Sequence, residues 1–122
     1  MRRMLVALLL LLLIIAGWKT EEKFVNNACN AMLENVEKMK NARDDELRDL
    51  TKKTIQEWEN TSGILEMFIP HEVVDDININ WAGYKTKIAE GNHTSAMVTL
   101  SELEEHFKEM QSKIKVNFRN IF

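Results

Sequence analysis

Residues 96–114 read AMVTLSELEEHFKEMQSKI, and their spacing decides the fold class. Ala96, Leu100, Leu103, Phe107, Met110 and Ile114 recur at intervals of 4, 3, 4, 3 and 4. That is the period of one helix face, with Ser101, Glu102, Glu105, Lys108 and Glu109 on the others. A strand would alternate every second residue, and this stretch does not. Upstream, Gly91-Asn92 stops one helix, and Thr94 or Ser95 is placed to cap the next. The preceding stretch carries Val74, Ile77, Trp81, Tyr84 and Ile88 at 3, 4, 3 and 4. Pro70 closes the segment before that, whose apolar positions are Leu47, Leu50, Thr54, Trp58, Leu65 and Phe68. Asn60-Thr61-Ser62-Gly63 are poor helix formers, so a kink is expected inside it. Its start, Arg43-Asp44-Asp45-Glu46, puts acids where the helix dipole favours them. Before it, Val25, Ala28, Met32, Val36 and Met39 form a further stripe.

Four amphipathic helices with short connections predict an all-α antiparallel bundle. A shift of 49 residues aligns Val25 with Val74, Met39 with Ile88 and Trp58 with Phe107, which suggests two related αα-hairpins. The body is residues 21–122, and the leader is residues 1–20. Met4–Ala16 are consecutively apolar, with Arg2 and Arg3 before them and Trp18 and Lys19 after. The run is short for a span of ~20 residues. Cleavage is disfavoured, because Ile14 or Ile15 would occupy the −3 position. The expectation is an uncleaved signal anchor, with a cleaved secretory peptide and a buried core helix as alternatives. The flanking arginines orient the N-terminus to the cytoplasm and the body outside.

Charge narrows the partners. The chain has 16 Lys+Arg against 19 Asp+Glu. Arg2 and Arg3 sit in the leader, so the body is acidic and a nucleic-acid partner is not expected. One cysteine makes no disulfide scaffold. Cys29 reads as a small, half-buried helix residue, or as one half of an intermolecular disulfide in a homodimer.

Catalytic patterns fail on spacing. His71-Glu72-Val73-Val74-Asp75 has Asp where the zinc-protease helix needs its second His, and the sequence identifies no third ligand. Glu102, Glu105, His106 and Glu109 flank a core stripe instead of forming the paired Glu-x-x-His of a di-iron bundle. No serine sits in a Gly-x-Ser-x-Gly elbow. No cofactor, metal or catalytic residue is expected. Trp58, Trp81, Tyr84 and Phe107 read as core, with a groove for an apolar ligand or partner helix as the alternative.

Several features together carry a family resemblance. They are the Arg-led leader, the helical body, Trp58 running into Phe68-Ile69-Pro70-His71-Glu72, Asp75-Asp76-Ile77, and the terminal Asn120-Ile121-Phe122. The chain resembles the bacterial domain-of-unknown-function 4363 family, over essentially its whole length. That resemblance implies a small membrane-anchored helical protein with no carried-over enzyme, cofactor or catalytic residue. A membrane protein partner is also implied.

The expected role is a non-enzymatic accessory to a membrane or envelope protein. A ligand- or metal-binding helical domain, or an enzyme, is the alternative, and it requires a concave pocket with converging polar groups. In an up-down-up-down bundle the last helix returns toward the membrane. Lys113, Lys115, Phe118, Arg119, Ile121 and Phe122 are therefore the expected contacts with anionic lipid or a membrane partner.

Overall fold

The computed structural model describes the backbone of residues 1–121, and the side chains of these except Trp18 and residues 115–121. It contains four helices: α1 (Arg2–Asn41), α2 (Asp44–Leu65), α3 (His71–Ala89) and α4 (His93–Ile121). No strand occurs among the described residues. Connections are short, so successive helices run antiparallel. α1 packs against α4 and α2, and α4 also packs against α3. The fourth seam, α2 against α3, is the slackest.

The apolar stripes meet in one core. Val25, Val36 and Met39 of α1 are fully buried, with Leu100, Leu103 and Met110 of α4. Trp58 and Phe107, equivalent under the 49-residue shift, meet edge to face with centroids 5.5 Å apart. The other equivalent pairs diverge at one end. Val25 and Val74 are both buried, but Met39 is buried while Ile88 is 36% exposed.

α1 is one helix from the leader into the bundle. The expected division at residue 20 therefore falls inside a continuous rod. Thr20 sits within the rod without breaking it, its hydroxyl donating back to the Ala16 carbonyl at 2.8 Å. Leu5–Leu13 are exposed on every side, whereas Val25, Cys29, Met32, Val36 and Met39 are buried. By length and composition, α1 is apolar enough to cross a membrane.

Two local expectations change. α2 runs unbroken through Asn60–Gly63 to Leu65. Poor helix formers there cost about 2 kcal/mol in sum. Burying Trp58 and Leu65 on either side contributes about 1.5–3 kcal/mol each, which outweighs that cost. The cap of α4 is Asn92, not Thr94 or Ser95: its Oδ1 accepts from the Ser95 amide at 3.2 Å. Gly91 before it has φ +74°, as a glycine closing a helix commonly does. At the α1–α2 corner, Ala42 and Arg43 are extended and Asp44 has φ +49°, a left-handed conformation that Asp tolerates better than most residues.

Candidate functional site

The slack seam is chemically different from the others. Two side-chain hydrogen bonds cross it. Trp58 Nε1 donates to Asn78 Oδ1 at 2.6 Å, and the Thr51 and Tyr84 hydroxyls pair at 3.0 Å. Burial raises the Tyr84 phenol above its ordinary pKa, and the bond from Thr51 partly offsets that. Thr54 and Trp81 lie between these crossings in sequence. Thr54 Oγ1 and Trp81 Nε1 are buried and have no hydrogen-bond partner among the described residues. Buried polar groups are costly when unpaired, so this seam holds together less firmly than an apolar one.

At the end of the seam near the α1–α2 corner, the two helices leave a trough of about 740 Å³. Leu47, Thr51 and Ile55 form its α2 wall at i, i+4 and i+8, with Ile88 across from them on α3. Arg43, Arg48 and Lys52 line the α2 rim, and Lys85 and His93 line the other. Asp44 and Glu59 are the acids in it. The rim is thus positive on a body that is acidic as a whole. This is the concavity that a ligand-binding domain requires. Ile88 belongs to a core stripe by its spacing, and nothing along the chain connects it with Arg43, Arg48 or Lys52. Their only sequence signal is that Arg48 and Lys52 lie one turn apart on one flank of α2.

On the other flank of α2, a shallower groove is lined by Glu34, Glu37, Lys38, Asn41, Glu46 and Leu50. Its sign is the reverse, and Lys38 is already paired with Glu34 at 3.5 Å.

The opposite end of the bundle brings together residues the sequence left apart. His71 Nδ1 lies 3.8 Å from Glu66 and Nε2 lies 3.5 Å from Asp75. Glu66 is the third group that the His71–Asp75 spacing lacked, and the three sets of ligand atoms lie within 4.8 Å of one another. The carboxylates face opposite edges of the ring, however. One metal ion uses one imidazole nitrogen, so this arrangement reads as a polar clamp across the α2–α3 turn. All three side chains are substantially exposed, which keeps the clamp weak. The Glu102, Glu105, His106 and Glu109 group also stays on the surface, with His106 3.9 Å from Glu109.

Heights along the bundle follow from cross-contacts. Phe68, in the α2–α3 turn, meets Phe24 at a centroid distance of 6.3 Å. Gln111 Nε2 donates to Asn30 Oδ1 at 2.7 Å and to the Asn26 carbonyl at 3.4 Å. α4 continues for about 15 Å beyond Gln111, antiparallel to α1, which brings its end to the level of residues 17–20. Lys113 is exposed there. The expected contacts Lys115, Phe118, Arg119, Ile121 and Phe122 lie outside the described side chains. Ile64 and Met67, at the same end of the bundle, are 47% and 76% exposed, and the sequence reading did not single them out.

Cys29 is 1% exposed, not half-buried, and burial pushes its thiol up to about 12. A thiol buried and protonated in this way is a poor nucleophile for disulfide exchange.

A family profile described as a domain of unknown function, DUF4363, matches residues 20–121. The chain belongs to that family. The DUF4363 match contains the trough, the His71 clamp and all three short connections, and it leaves out the exposed half of α1. No curated protein and no solved structure matches the chain.

Proposed function

We infer that this DUF4363 protein is a membrane-anchored, non-enzymatic interaction module that holds its α2–α3 trough away from the bilayer. The observation that carries the reading is the two-part surface of α1. Leu5–Leu13 are exposed all round, while Val25–Met39 present a one-sided buried stripe, and no break separates them. A helix apolar on every face needs an apolar solvent, and a bilayer supplies one. Arg2 and Arg3 orient the N-terminus inward and the bundle outward.

Continuity of the helix makes it a stiff post. From residue 18 to Asn41 it rises roughly 35 Å, so the trough stands at the far end of the bundle. The α2–α3 turn and the end of α4 then lie near the outer leaflet. Lys113 with Lys115, Arg119 and the apolar residues Phe118, Ile121 and Phe122 is suited to that surface. A second reading, a small-ligand receptor, is favoured by the trough itself.

Intact mass of the full chain, purified from native membranes in mild detergent, tests the anchor. A mass beginning at Met1, with a stoichiometric membrane partner, is the expected result. A mass lacking the leader and no partner would overturn the reading.

A further inference from the structure

We propose that the α2–α3 trough receives an acidic amphipathic helix from a partner protein, which packs there as a fifth helix of the bundle. The proposal deepens the interaction-module reading by naming what the module holds. Three features select this occupant.

First, the trough is long. Its α2 side runs from Asp44 to Glu59, about 22 Å and the length of a helix of about 15 residues, while its α3 side is the single turn Lys85–Ile88. Second, its cations are spread along it. Arg48 and Lys52 follow one another by about 6 Å of rise on one flank of α2, Arg43 lies ahead of the helix, and Lys85 lines the α3 side. A single headgroup would need charges converging on one point. Carboxylates spaced three or four residues apart on a helix match a row. Third, the trough lies where α2 and α3 already pack poorly, over a floor in which Leu47 and Ile55 are nearly closed off and Ile88 is the part-exposed apolar residue. A helix laid there covers Ile88 and the aliphatic stems of the rim cations, with its acids on both flanks. The acidic groove on the other side of α2 repels such a helix, so the docking is specific to one flank.

The test uses the full chain in zwitterionic nanodiscs and a fluorescent peptide of about 16 residues, with leucines on one face and glutamates flanking them. A peptide with lysines in place of the glutamates is the control. The expected result is saturable binding of the acidic peptide alone. It weakens about tenfold or more in the Arg48→Glu/Lys52→Glu variant and falls with added salt. These side chains are exposed, so the reversal leaves the core intact. Lys108→Glu, on the exposed face of α4, leaves binding unchanged. The proposal is overturned if the acidic peptide does not bind, or if it binds equally well to the reversed variant. It is also overturned if dodecyl phosphate fills the trough and the peptide does not. The anchor is judged separately by intact mass, so its failure and the failure of the docking are distinguishable.

Discussion

The α1–α4 seam and the α2–α3 seam hold the same bundle together by different means. The first buries Val25, Val36 and Met39 against a helix whose Leu100, Leu103 and Met110 are equally closed off. Its polar contacts sit at the edge, with Lys40 2.8 Å from Glu104, and Gln111 on Asn30. The second relies on Trp58–Asn78 and Thr51–Tyr84, leaves Thr54 Oγ1 and Trp81 Nε1 unpartnered, and ends in an open trough. Burial scales with area and a hydrogen bond contributes only about 1 kcal/mol net, so the first seam is the stable one and the second is the one able to open. On the proposed reading, the same division separates support from recognition. α1 and α4 form the frame, and the open trough lies where the packing is thinnest.

Truncating one side chain in each seam is the strongest way to break this comparison. Leu103→Ala is expected to cost about 2–5 kcal/mol, and Ile88→Ala less than about 1, in denaturant unfolding of the full chain in nanodiscs. Equal costs would mean that the trough is not open. Alkali comes next and acts on the frame. The unfolded Cys29 thiol ionises near pH 9 and the folded one near 12. The unfolded state therefore sheds its proton first. The stabilisation is fully present below pH 9 and is lost as the pH rises toward 12, by an amount on the order of a few kcal/mol. Tyr84 adds loss in the same direction above its ordinary value near 10. A Cys29→Ala variant should flatten the decline between pH 9 and 12. Thiol reagents should label wild type no faster than it opens.

Smaller changes sharpen the polar seam. Tyr84→Phe removes the bond to Thr51 and should lower stability by about 1 kcal/mol. Hydrogen exchange should then show α2 and α3 opening more often while α1 and α4 remain protected. Thr54→Val exchanges an unpartnered buried hydroxyl for a methyl group of similar shape. It should raise stability by about 0.5–1 kcal/mol. A loss there would show that Thr54 does find a partner.

Most of the fold was legible because its signals are local. The 3-and-4 spacing identified the stripes, Pro70 and Gly91 marked helix boundaries, and the leader separated itself by composition. The kink expected at Asn60–Gly63 did not form, because the buried residues on both sides outweigh a local propensity. The candidate site was hardly legible. Arg43, Arg48, Lys52, Lys85 and His93 look like ordinary surface charge along the chain, and only packing gathers them around one trough. Glu66 likewise reaches His71 only because the chain turns between them.

By itself, then, the sequence determined four helices, their inward faces and an apolar segment suited to a bilayer. Periodicity and composition are properties of neighbours along the chain, and they need no knowledge of what packs where. The tertiary structure alone decided which seam is slack, that Met39 is buried while its counterpart Ile88 lies half open, and that the cations of α2 and α3 face one another. Those outcomes depend on how stripes of unequal bulk fit when four helices share one core, and no window of sequence contains that fit.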